Sequence, residues 1–219
     1  MSLAFFDMDG TLVGGDTNNI TLHHFVKLGI APSDMLVKLS ECEQKFFEGS
    51  LDINDFVRFA VTPLVKLSKD EQYKVLHETV RDLIIPLIKP GAKRALDFHK
   101  KRGRGDRVFI VTSTCDYIVE HVATLLGISD FIAAPMEKVA GRLTGKQCGT
   151  VPYQVDKVKR INEIINKESL SLEDSYAYGD TINDLPMLMM CSHRFAVDPN
   201  EKLLNHPAIK SLEIVDWSK

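Results

Sequence analysis

No apolar run in the 219 residues approaches the ~20 needed to cross a bilayer, so a membrane span is not expected. Cysteine is scarce. Cys42, Cys115, Cys148 and Cys191 lie far apart without a Cys-x-x-Cys spacing, which speaks against a zinc site or a disulfide framework and for reduced thiols. Positive charge is not in excess either: a net charge of −3 and a pI near 6.2 argue against a general nucleic-acid binder. The seven histidines are scattered, and the adjacent His23 and His24 would point to different sides of a helix. A signal-peptide pattern is missing because Asp7 and Asp9 interrupt the first apolar stretch, so a cytoplasmic location is expected. Repeats and low-complexity tracts are missing as well.

What is present is a 44% hydrophobic chain with material for a large core in one domain, or in one domain with an insertion. Residues 5–13, Phe-Phe-Asp-Met-Asp-Gly-Thr-Leu-Val, are the most informative. If Leu3 to Phe6 form a buried strand, Asp7 lies at its carboxyl end, where open α/β sheets bind ligands. The following Asp-Gly-Thr signals a turn. A calcium loop is excluded because Gly10 comes too early for it. On these residues alone an Asp-rich turn and an active site are equally good readings.

Residues 16–88 read as helical. Met35, Leu36, Leu39, Cys42 and Phe46 recur at helical spacing, Asp52 is placed to cap a segment carrying Phe56 and Val57, and Ser68 to Glu71 is a capping-box pattern. After Pro90-Gly91, helix and strand alternate. Helices are expected at 92–101, 117–126 and 156–166, and strands at 108–112, 131–134, 175–178 and 194–197. That alternation predicts a parallel sheet covered on both faces, an α/β fold. Residues 1–15 and 89–219 are therefore expected to form the core, with 16–88 a helical cap inserted directly after the Asp7–Asp9 turn. Met136 to Gln147 reads as a small hairpin on the core. The basic run from Lys100 to Arg107 reads as a solvated helix end, and Arg104-Gly105-Asp106 as chance.

Further polar residues stand where Asp7 can use them. Val-Phe-Ile-Val leads into Thr112-Ser113, Lys157 opens a helix, and Tyr-Ala-Tyr runs into Gly179-Asp180, with Asn183-Asp184 just after. Each has an ordinary reading as a cap or a surface residue, but their joint recurrence at strand ends makes coincidence a poor explanation. The chemistry that such a set suits is phosphoryl transfer. Asp7 can attack phosphorus, Lys157 can hold a phosphate oxygen, and Asp9 can protonate the leaving oxygen and later activate water. Mg²⁺ fits a hard-oxygen set made of the Asp7 and Asp180 carboxylates and the Asp9 backbone carbonyl, with Asp184 reaching metal-bound water.

In order, Asp7-Met-Asp9-Gly-Thr, the strand ending in Thr112, Lys157, and Gly179-Asp180-Thr-Ile-Asn183-Asp184 resemble the four motifs of the haloacid dehalogenase superfamily of phosphatases. The resemblance implies a Rossmann-like α/β core, an aspartate nucleophile at Asp7, an acid/base at Asp9 and obligatory Mg²⁺ at Asp7, Asp9, Asp180 and Asp184. It also implies phosphate contacts from Gly10, Thr11, Thr112, Ser113, Lys157 and Asn183. The helical insertion and the later hairpin look like the phosphoserine phosphatase branch. Gly15-Asp16-Thr17 and Gly149-Thr150 look most like the subgroup described as phosphoserine-phosphatase-like or histidinol phosphatase.

That branch holds the phosphoserine carboxylate with a cap arginine, and the one arginine between residues 16 and 80 is Arg58, out of that context. Histidinol phosphate asks instead for acids and aromatics, and Asp16, Glu43 and Phe47 are the cap candidates. The expectation is a phosphatase acting on a small phosphorylated metabolite, as a monomer or homodimer. Histidinol phosphate is the first choice and phosphoserine the second. A phosphotransferase and a catalytically silent regulatory module are the alternatives.

Overall fold

The computed structural model describes residues 2–103 and 105–219, and their side chains except that of Phe47. The expectations on the Phe47 side chain and on Arg104 fall outside these. Along the chain come β1 (Leu3–Phe6), then α1 (Thr17–Lys27), α2 (Met35–Glu48), α3 (Ile53–Val61) and α4 (Lys69–Thr79). After them follow α5 (Pro90–Lys101), β2 (Arg107–Cys115), α6 (Asp116–Leu126), β3 (Asp130–Ala134), β4 (Met136–Val139) and β5 (Arg142–Gln147). The last part holds α7 (Val155–Glu168), β6 (Tyr176–Gly179), α8 (Leu185–Met190), β7 (His193–Val197), α9 (Glu201–Leu204) and β8 (Glu213–Val215).

β1 is buried along its whole length, so its alternating side chains feed two apolar layers. Ala4 and Phe6 pack with Ile110, Leu96 of α5 and Ile118 of α6, whereas Leu3 and Phe5 pack with Phe109, Ile161 of α7 and Leu188 of α8. The result is a six-stranded sheet in the order β3-β2-β1-β6-β7-β8, parallel throughout. From β1 the chain winds outward to β3, then crosses back to β6 and winds the other way. The strand order therefore changes direction beside β1, and a crevice opens at the carboxyl ends of β1 and β6.

The four expected core strands are all present. β8 was not foreseen, because three residues at an exposed sheet edge carry no alternation to read. Between β1 and α5 the chain is helical, and the foreseen caps are made. Asp52 accepts from the backbone N–H groups of Asn54 and Asp55 at 2.8 and 3.1 Å. Ser68 and Glu71 form the capping box of α4. After Thr79 the helix passes through one wider π turn (Val80–Ile84) into a 3-10 turn (Ile85–Leu87).

The β4–β5 hairpin differs from expectation in what it holds. The Gln72 side chain on α4 donates to Leu64 O at 2.8 Å and accepts from Leu143 N–H at 2.9 Å, while the Arg142 guanidinium donates to Val65 O and Leu67 O. The bonds from Leu143 and Arg142 fasten the hairpin to the helical block.

At the opposite end of the sheet from the crevice, Arg102 donates to Asp106 and Asp174, and His99 bridges Asp106 (2.8 Å) and the Tyr178 hydroxyl (3.0 Å). Arg102, then His193, hold the Asp174 carboxyl down at about 2. A depressed folded-state value means that the contribution is complete above the ordinary carboxylate range and disappears as pH falls through the folded value. The Tm gap between wild type and D174N is therefore expected to be widest above about pH 4 and to close toward pH 2. A gap that widens in acid overturns this role.

Candidate active site

Asp7 follows the last residue of β1, and its backbone N–H donates to Tyr178 O at 2.9 Å, which keeps it level with the end of β6. Lys157, in the first turn of α7, is buried. Its ammonium donates to Asp7 Oδ1 at 2.5 Å, Asp184 Oδ1 at 2.6 Å and Val111 O at 3.0 Å. Thr181 donates its backbone N–H and its hydroxyl to Asp184 Oδ2 at 3.1 and 3.0 Å. Asp184 is thus both the cap of its own turn and a member of the site. Thr112 and Thr114 lie within β2 where its pairing with β3 shifts register, and Thr114 N–H donates to Thr112 Oγ1 at 3.1 Å.

Asp180 enters the cluster through Gly10. That glycine has φ +82°, and a Cβ there would lie 2.1 Å from Asp180 Oδ2, so only glycine lets the loop pass. Gly179 leaves room for Asp184 in the same way, since its Cβ would sit 2.4 Å from Asp184 Cβ. Thr11, fully buried, donates to Asp180 Oδ1 at 3.2 Å. Gly10 and Thr11 therefore stand behind Asp180 and are not on the cavity wall, whereas Thr112, Ser113, Lys157 and Asn183 line it.

Ligand oxygens of Asp7, Asp180 and Asp184 all lie within 4.8 Å of one another. Burial, then the Asp184 carboxylate, push Asp7 well above the usual carboxylate range, with Lys157 pulling the other way. The same two causes bring Asp180 to about 8. Lys157 is raised: burial works against its charge, but Asp184 and Asp7 outweigh it. Three carboxylates facing one ammonium leave uncompensated negative charge on hard oxygen donors, and Mg²⁺ fits that set. The Asp9 carboxylate is turned elsewhere, accepting from Thr17 N–H at 2.7 Å and from the Thr114 hydroxyl at 2.5 Å. Burial, then Asp16, raise Asp9 to about 6.

Above these groups lies a cavity of about 240 Å³. The helical block closes it with Asp16, Asn18, Leu39, Glu43, Phe46 and Phe56. Asp16 also caps α1, and Asn19 Nδ2 donates to Glu43. Among the described lining residues Lys157 is the sole Lys or Arg. Thr114, Asn18 and Tyr153 were missed in the sequence. Thr114 had a signal, since it stands two residues beyond Thr112 and so shares its face on a strand. Lys89, which donates to Gly10 O and to Asp198 Oδ2, had none beyond its place before Pro90-Gly91.

Residues 4–189 match the family model of the haloacid dehalogenase-like hydrolases. The chain belongs to that family and is an enzyme of its phosphatase group. It is 32% identical to the histidinol-phosphatase of Neisseria meningitidis over 99% of both chains. A Bordetella pertussis protein of unknown function has the same fold, with TM-score 0.88 and 26% identity over 99% of this chain and 98% of that one. A phospho-aspartyl intermediate analogue of phosphoserine phosphatase is similar in fold, with TM-score 0.66 and 24% identity over 100% of this chain and 93% of that one.

Removing the ammonium without removing its partners tests the central ion pairs. K157M leaves Asp7 and Asp184 buried without a counter-charge, a change that typically costs about 3–5 kcal/mol. Urea unfolding in the presence of a chelator is expected to register that loss. Stability within about 1 kcal/mol of wild type overturns the assignment.

Proposed function

We propose that the protein is a Mg²⁺-dependent phosphomonoesterase that hydrolyses a small phosphorylated metabolite, histidinol phosphate, through an aspartyl-phosphate on Asp7. The observation that carries this reading is the division of the cavity. Its floor holds a carboxylate beside a buried ammonium, and its lid offers two carboxylates, Asp16 and Glu43, among aromatic and aliphatic side chains. A leaving group with an ammonium and an imidazole but no carboxylate matches that lid. The carboxylate of phosphoserine meets no Lys or Arg among the described residues of that lid. The likeness to the Neisseria meningitidis relative supports the same choice.

Asp7 and Asp180, with Asp184 nearby, would hold a Mg²⁺, which would supply neutralisation of the negative charge that otherwise opposes attack on a phosphate. Lys157 favours the ionised form of Asp7 and sets its positive charge beside the phosphate, and Thr112 and Ser113 offer the phosphate their hydroxyls. An Asp7 oxygen attacks phosphorus while the ester P–O bond breaks, and Asp9 passes its proton to the departing oxygen. In the second half Asp9 takes a proton from water as that water attacks phosphorus. Inorganic phosphate leaves and the Asp7 carboxylate is restored.

Phosphate release with Mg²⁺ from histidinol phosphate, phosphoserine, phosphoethanolamine and p-nitrophenyl phosphate tests the reading. Histidinol phosphate is expected to exceed phosphoserine in kcat/KM by at least about tenfold, and D7N is expected to release no phosphate. Comparable slow turnover of all four overturns the dedicated substrate, and an active D7N overturns the nucleophile.

The lid has its own test. E43Q removes one charge that faces the leaving group away from the reacting bond, so KM for histidinol phosphate should rise about tenfold with kcat little changed. An unchanged KM removes Glu43 from recognition.

A further inference from the structure

Both oxygens of the Asp9 carboxylate are occupied by donors from two different parts of the fold. Oδ1 accepts from the backbone N–H of Thr17, in the first turn of α1, and Oδ2 accepts from the hydroxyl of Thr114, on β2. The Thr114 hydroxyl has a single proton, and its surroundings decide where that proton goes. Asn18 Nδ2 donates to Thr114 Oγ1 at 3.2 Å, which fills an acceptor position and leaves the proton for Asp9. Thr17 Oγ1 lies 3.4 Å from the same oxygen. Thr17, Asn18 and Thr114 are all buried, which strengthens these bonds relative to the same groups in water.

A carboxylate held at one oxygen alone rotates about its Cβ–Cγ bond. Held at both, it keeps one orientation toward the ester oxygen that leaves. We propose that Thr114 is a positioning residue for the reaction, fixing the Asp9 carboxyl so that its proton is delivered to the leaving oxygen, with Asn18 orienting the Thr114 hydroxyl. This rests on the reading of Asp9 as the proton donor. Thr114 acts through the Asp9 carboxylate, which its hydroxyl holds, and its own hydroxyl has no assigned role toward phosphate or metal. Thr112, by contrast, turns its hydroxyl oxygen to the Thr114 N–H and keeps its own proton for the site.

Proton delivery matters only when the leaving oxygen is basic. An alkoxide needs the proton as the P–O bond breaks, whereas p-nitrophenolate departs without it. Single-turnover release of the leaving group is therefore measured for wild type, T114V, T114S and D9N. The two substrates are p-nitrophenyl phosphate and the alkyl phosphomonoester turned over fastest in the panel above. T114V keeps the shape of threonine without the hydroxyl, and its rate on the alkyl ester is expected to fall about 30-fold or more, against a loss on the aryl ester at least about tenfold smaller. T114S restores the hydroxyl and should recover most of the alkyl-ester rate. A purely structural role predicts equal losses on both esters.

D9N separates the two layers of the argument. If D9N discriminates between the esters and T114V does not, or if T114S fails to rescue, the proposal for Thr114 is overturned while Asp9 remains the acid. If D9N itself loses both esters equally, the reading of Asp9 falls and the proposal with it. Thermal unfolding of each variant identifies any that fails to fold, and N18A then serves as the second probe. It leaves Thr114 in place but frees its proton, and is expected to show the same ester discrimination in weaker form. Equal losses there count against the proposal in the same way.

Discussion

The crevice depends on one nitrogen. The Lys157 ammonium is reached at once by Asp7 after β1, by the Val111 carbonyl of β2 and by Asp184 of the turn after β6. A charge taken out of water is tolerated only if it is paired and its hydrogen-bonding capacity is met, and here three partners meet the three protons of the ammonium. Lys157 is aimed by packing. Ile161, one turn further along α7, is fully buried in the apolar layer beneath the sheet, which fixes how the helix lies and hence where the lysine reaches. The hydrophobic core on one face of the sheet thereby sets the position of the charge at its end.

That arrangement does not balance. Asp180 comes close because Gly10 has no side chain to keep it away, and its raised value records burial first and the neighbouring Asp184 carboxylate second. As a folding unit the cluster is a local loss, and K157M would expose how large the loss becomes without the lysine. As a site it is a store of negative potential on oxygen atoms, surrounded by low-dielectric walls. A divalent cation and a phosphate entering together suit such a place better than either alone.

Much of this was legible in the sequence, for reasons that can be named. Strands buried on both faces read as apolar runs, and their ends read as the point where polarity resumes. Asp7, Thr112 and Asp180 are therefore legible from the sequence as strand-end residues. Asp52 and Ser68 announced helix starts because capping is a local matter of three or four residues. What could not be read was whatever depends on the approach of distant segments. The sequence gives no sign that Asp9 turns away from Asp7 toward Thr114, 105 residues later, or that Gln72 clasps the hairpin through Leu143. β8 was lost for a simpler cause: at an exposed edge, Glu-Ile-Val has neither length nor pattern.

The two halves of the cavity are less independent than their chemistry suggests. The first turn of α1 supplies Asp16 and Asn18 to the lid wall, and the same turn supplies the Thr17 N–H that holds Asp9 and the Asn18 amide that orients Thr114. Between Asp9 and Thr17 the chain closes on itself through Gly10 N–H to Val13 O and is tied to the segment before α5, where Gly14 N–H donates to Leu87 O and Lys89 N–H to Leu12 O. Any displacement of α1 relative to the sheet must then act on the acid and on the leaving-group wall together. A leaving group that fails to seat α1 correctly meets a misdirected Asp9. Under the proposed mechanism the lid would discriminate between substrates twice, once in binding and again in the rate at which the bound ester is cleaved.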